Sequence, residues 1–235
     1  MHLNLRRFAI LLATVSPLLF AATSRANVDI TLDLNSLPSA QGWTYHTESG
    51  TTEGSVFSVG GGLLHQNSFG AGDSWYSLDG LVDLALPFVL SLRVRLNGEE
   101  GGSAGNAFGF AAGLATGTEI DMFGLGLNRL QVDHDPNGQP VHTGLSTGPE
   151  FHDYRMEGGG GAPDFRVYVD GVLLDTGPNR EFAYYNSLRF GDLTFGPNAD
   201  VDIASLEFHQ AVPEASTALL GVAGLMGLLL RRPRK

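Results

Sequence analysis

The sequence predicts an all-β protein, a two-sheet antiparallel sandwich. Three observations carry this: apolar residues alternate with period two in many short segments, glycine clusters punctuate them, and no convincing helix lies between the two chain ends. PFVLSLRVRL (87–96) sets Phe88, Leu90, Leu92, Val94 and Leu96 on one face and Arg93 and Arg95 on the other. DFRVYVD (164–170) repeats the pattern with Phe165, Val167 and Val169, and Asp170-Gly171 then supplies a hairpin turn into VLL. Further strands are expected at VDITLDL (28–34), SVFSV (55–59), GLLHQ (62–66), SWYSL (74–78), AFGFAAGL (107–114), EIDMFGLGL (119–127), FHDYRME (151–157), SLRFGDLTF (187–195) and VDIASLEF (201–208). In the last, the apolar alternation slips between Ile203 and Leu206, which predicts a bulge.

The two ends differ from this middle. Residues 1–26 combine Arg6 and Arg7, an apolar stretch from Phe8 to Phe20 and the small-x-small ending Ser24-Arg25-Ala26, the layout of a signal peptide cleaved by signal peptidase before Asn27. Residues 212–235 begin with Val212-Pro213-Glu214, continue through the apolar run Ala218 to Leu230, and end in Arg231-Arg232-Pro233-Arg234-Lys235. Thirteen apolar residues fall short of the roughly 20 that span a bilayer unassisted, and the basic end marks a cytoplasmic face. This order of motif, short hydrophobic helix and basic end resembles the PEP-CTERM sorting tail. The resemblance implies recognition by an exosortase of a Gram-negative bacterium, transient insertion in the inner membrane, and delivery to the cell surface or an extracellular, polysaccharide-rich matrix.

Residues 27–211 remain as one domain, long enough to bury a sizeable core. They hold 7 arginines, 24 acidic residues and no lysine, a formal charge of −17. Nucleic acid is excluded as an expected partner, because phosphate binding needs a basic footprint. Without cysteine, the exported domain forgoes disulfides and depends on its core, with calcium as a candidate aid.

FHDYRMEGGGGAPDFRVYVDGVLLDTG (151–177), then SLRFGD, then ADVDIASLEFHQ (199–210), resembles the second half of concanavalin A-like jelly rolls, the superfamily of legume lectins, laminin-G-like modules and glycoside hydrolase family sixteen. Glu119-Ile120-Asp121 is similar to the family-sixteen catalytic strand, and the resemblance implies a nucleophile at Glu119 and an assisting acid at Asp121. A retaining mechanism needs two carboxyl groups about 5 Å apart. The position of the acid/base glutamate falls at Phe123-Gly124, so catalysis is not expected.

Calcium has two expected places. Asp133, Asp135 and Asn137 copy the D-x-D-x-N-G opening of an EF-hand loop, although the same residues suit an ordinary Asn-Gly turn. Asp202 stands where the resembled superfamily places a calcium ligand on its final strand. Trp43, Trp75 and Tyr76 are the candidate sugar-stacking platform, or else core residues. The expected function is thus a non-catalytic surface or matrix jelly roll that binds extracellular polysaccharide. A purely structural matrix component and a divergent hydrolase using Glu119 and Asp121 are the alternatives.

Overall fold

The computed structural model describes residues 27–83, 86–101, 108–116, 119–133, 141–145, 148–160, 164–178, 187–193 and 197–210. The expected terminal helices, the sorting motif Val212-Pro213-Glu214, and Arg231 and Arg232 lie outside them. Within the compact unit Asn27–Ala211, two antiparallel sheets make up nearly all the regular structure. One sheet contains β1 (Val28–Thr31), β3 (Phe57–Gly60), β4 (Leu63–Asn67), β6 (Phe88–Glu100), β11 (His152–Gly158), β12 (Asp164–Val169), β13 (Val172–Pro178) and β15 (Asn198–Gln210). The other contains β2 (Thr44–Thr47), β5 (Ser74–Asp79), β7 (Phe110–Thr116), β8 (Glu119–Gly126), β9 (Arg129–Asp133), β10 (Val141–Thr143) and β14 (Ser187–Asp192). The eight-stranded sheet runs β13-β12-β11-β6-β15-β4-β3 with β1 also on β15, and the seven-stranded sheet runs β10-β9-β8-β7-β14-β5-β2. This is a jelly-roll sandwich. Among the described residues, no helix is long and apolar enough to cross a membrane.

The alternation read from β6 is realised: Phe88, Leu90, Leu92, Val94 and Leu96 are all buried, while Arg93 and Arg95 take the opposite face. Phe165 and Val167 of β12 join the same core. The Asp170-Gly171 turn closes Val169 onto Val172 with φ of 48° and 78°, the pair of positive angles a type I′ hairpin requires. β15 shifts register between Ile203 and Ser205, where the apolar pattern slips. That shift falls where its outer partner changes, from β4 up to Ile203 to β1 from Glu207 onward.

Three strands fall outside the expected set. β2, β9 and β10 are three to five residues long, and β2 and β10 end their sheet. The segment expected as a strand from Ser55 opens instead with a single helical turn, α1 (Glu53–Val56), and becomes extended at Phe57.

Aromatic rings lock the layers together. Trp43 meets Phe190 edge-on with centroids 5.0 Å apart, Tyr76 lies 4.6 Å from Phe57, and Tyr154 of one sheet stacks on Phe123 of the other at 5.7 Å and 18°. Phe190 touches both Trp43 and Tyr76 and is fully buried. Phe190→Ala is expected to cost about 3–5 kcal/mol of unfolding free energy through lost burial and a residual cavity, read as a lower urea midpoint at unchanged slope.

Candidate functional site

On β5 the residues alternate between core and outside: Tyr76 is buried, and Trp75, Ser77 and Asp79 take the outer face of the seven-stranded sheet. Register carries this face onto the neighbours. Trp75 pairs with His46 of β2, Ser77 with Arg189 of β14, and Asp79 with Ser187. The partly exposed Trp75 ring stacks on His46 with centroids 5.2 Å apart and planes 12° from parallel. His46 Nε2 lies 2.8 Å from Ser77 Oγ, Ser77 Oγ donates to Asp79 Oδ2 at 3.4 Å, and Arg189 Nε donates to Ser187 Oγ at 3.2 Å. Burial depresses the His46 pKa, the Arg189 charge depresses it further, and Asp79 opposes both. The imidazole is therefore neutral at pH 7. Arg189 is lowered from its ordinary value by burial and raised by Asp79, yet stays cationic.

Across the sheet from Trp75 the register passes through Gly191, Ala111 and Gly124, with no side chain larger than a methyl. The Phe108 ring lies over Gly124, where a Cβ would collide with it, and forms a small apolar cluster with Ala111, Met122 and Leu193. The outer face is thus divided: Phe108 covers β7 and β8, and an indole with polar neighbours occupies β2, β5 and β14. Such a face can hold a sugar ring by stacking while donors and acceptors take its hydroxyls. The His46–Ser77 contact has the reach of a nucleophile and its base. However, Ser77 is only 2% exposed, and His46 braces the indole by stacking on it.

The other expected site residues fall elsewhere. Trp43 is 5% exposed and Tyr76 is fully buried, its hydroxyl donating to Glu53 Oε1 at 2.7 Å. Both are core residues, so Trp75 alone of the expected platform offers a ring to solvent. Burial and the bond to Glu53 push the Tyr76 pKa far up. Sequence reading missed His46, Ser77, Asp79 and Arg189, which only the β2–β5–β14 register brings together.

Glu119 and Asp121 sit on β8 opposite Thr116 and Leu114. They share strand parity with Phe123 and Leu125, which are completely buried. Their side chains lie outside the described residues. Asp133 is the last residue of β9, and Asp135 and Asn137 fall outside the described residues. Asp202 is largely buried and is the hub of a donor cluster. The Arg95 guanidinium pairs with its Oδ2, His65 Nδ1 lies 2.8 Å from Oδ1, and Asn97 Nδ2 donates at 3.1 Å. A cation in that place would have to displace a guanidinium. Among the described residues, no group of three or more histidine or carboxylate side chains is placed to hold a metal.

No protein-family model matches the chain, and no curated protein matches it. Among solved structures, a sialidase is similar at a TM-score of 0.55 and 11% identity, over 79% of this chain and 18% of that one. An endo-1,3-β-glucanase from Streptomyces sioyaensis is similar at 0.51 and 14%, over 82% of this chain and 99% of that one. A carbohydrate esterase from the Shiga toxin-encoding bacteriophage phi24B is similar at 0.50 and 14%, over 78% and 100%. At these identities the likeness is one of fold: the chain is a two-sheet, concanavalin A-like jelly roll.

Burial alone would raise the Asp202 carboxyl, but hydrogen bonds from Arg95, Asn97 and His65 outweigh it and hold the group below its ordinary 3.8. The ionised cluster therefore stabilises the fold above that value, and the contribution is lost as pH falls from there through the lower folded-state value. Asp202→Asn is expected to lower the thermal midpoint at pH 7 and to flatten its decline below about pH 4, measured by circular dichroism melts of both proteins.

Proposed function

We propose that the sandwich is a non-catalytic module that binds extracellular polysaccharide on the outer face of its seven-stranded sheet. The observation carrying this reading is the partly exposed Trp75 ring, braced by His46 and flanked by Ser77, Asp79 and Arg189. Solvent-facing indoles on rigid strands supply apolar area at little entropic cost, and the surrounding polar groups give orientation. Carbohydrate as the ligand class is also in keeping with the glucanase and esterase among the proteins of similar fold. The non-catalytic part rests on the absence of a third glutamate from EIDMFG. Calcium has no role in this reading.

Binding to a panel of immobilised neutral and acidic polysaccharides should be present for the wild type and reduced at least about tenfold by Trp75→Ala, the loss of one stacked ring. If every polysaccharide is ignored, the domain is a ligand-free matrix component instead, and if the variant binds as well as the wild type, the Trp75 face is not the binding site.

The same proposal places the protein outside the inner membrane of a Gram-negative cell, as an exosortase substrate. Its support is the order of Pro213-Glu214, the short apolar run and the Arg231-Arg232 end, together with the leader at 1–26. In cells that contain an exosortase, replacing Pro213 and Glu214 by alanine is expected to leave the unprocessed, slower-migrating chain in the membrane fraction. Processing and release unchanged by the replacement would remove this part of the reading.

A further inference from the structure

The opposite side of the sandwich has its own concavity. On the outer face of the eight-stranded sheet a depression of about 300 Å³ is lined by Ser91, Ser205, Arg155, Tyr168, Asp153 and Glu207. Its origin is legible in the register. Ser91 of β6 pairs with Arg155 on one side and Glu207 on the other, and Ser205 of β15 pairs with Arg93. The two longest strands thus carry short hydroxyl side chains where their neighbours carry long ones, and the floor drops between them. Leu92 and Tyr154 also line the depression, but their side chains are buried in the core, so what they offer is backbone.

The walls are held in place. The Arg155 guanidinium lies 4.4 Å from the centre of the Tyr168 ring with Nη2 3.1 Å from Glu157, and Tyr168 donates to the same Glu157 at 3.3 Å. Arg93 Nη1 donates to both oxygens of Asp153 at 3.0 Å. Glu207 is half exposed and contacts His209 at 3.5 Å. Pre-positioned groups lose little freedom on binding, which favours even a small ligand.

We infer that this depression is a second glycan site, taking one unit of a neutral hexose. The lining supplies a fixed donor in Arg155, acceptors in Asp153 and Glu207, and two serines able to do either, which suits a ring bearing adjacent hydroxyls that both donate and accept. The volume lies at the small end of ligand pockets, appropriate to a single sugar unit rather than a chain segment. Charge selects against acidic sugars: the lining carries two carboxylates against one guanidinium, within a domain of formal charge −17. The site shares no residue with the Trp75 face and does not depend on it.

The test is an amide chemical-shift titration of the domain with D-glucose, D-galactose, D-mannose and D-glucuronate, each to about 100 mM, where even a millimolar site fills. At least one neutral hexose should shift the amides of Ser91, Leu92, Tyr154, Arg155 and Ser205, and glucuronate should shift them less. Arg155→Ala, an exposed change, should weaken the response about tenfold, the loss of a charge-assisted hydrogen bond. Ser205→Leu should abolish it by filling the floor, and Trp75→Ala should leave it intact. The inference is overturned if no neutral hexose moves these amides, if glucuronate moves them more, if Arg155→Ala and Ser205→Leu respond like the wild type, or if Trp75→Ala removes the response.

Discussion

The pairing of β6 with β15 is the constraint on which the rest of the molecule depends. Both strands are thirteen residues long, and their ladder runs from Phe88 opposite Gln210 to Glu100 opposite Asn198. β6 then receives β11, and through it β12 and β13, while β15 receives β4 and β1 along its other edge. The eight-stranded sheet cannot be assembled outward from a hairpin, because its central pair joins segments about a hundred residues apart. Loop-closure entropy must be met before that ladder forms. Once it forms, Leu90, Leu92, Val94, Val201, Ile203, Leu206 and Phe208 line the core side of the two strands and fix the register, since a slip of one residue would turn the slipped strand's apolar set outward.

The same pair organises the charges. Of the seven arginines in residues 27–211, Arg93, Arg95, Arg155 and Arg166 lie on the outer face of the eight-stranded sheet, each beside a carboxylate. Exposed pairs of this kind contribute little singly. Their arrangement matters more than their energy, because an acidic domain without lysine has few cations to place and puts four of the seven on one sheet face. Asp202 differs in being largely buried, with a guanidinium, an imidazole and an amide converging on it. There the hydrogen bonds decide the ionisation state against the cost of burial.

Strand alternation made β6, β12 and the Asp170-Gly171 turn legible in the sequence, and the slip at Ile203 located the bulge, because each signal is local and has period two. β2, β9 and β10 were not legible: TYHT and VHT are too short and too polar to display a period. The site was legible only at Trp75. Trp75 and Tyr76 are adjacent, so one must face in and the other out, but both are aromatic and the sequence does not distinguish them. The decision is made by Phe190 and Phe57, which claim Tyr76 for the core from other strands. The donor cluster around Asp202 was illegible for a related reason. Its controlling partner, Arg95, lies 107 residues away and becomes a neighbour only through the β6–β15 ladder.

The arrangement of β1 against β15 has a mechanical consequence. Val28 stands opposite Gln210, so the first and last strands of the sandwich meet at the same end of a short four-rung ladder that is reinforced by a His209–Asp29 pair. A load drawn between the two ends would meet these rungs one after another and peel them like a zipper, instead of shearing them together. β1 would detach first, and the long β6–β15 ladder would still be intact behind it.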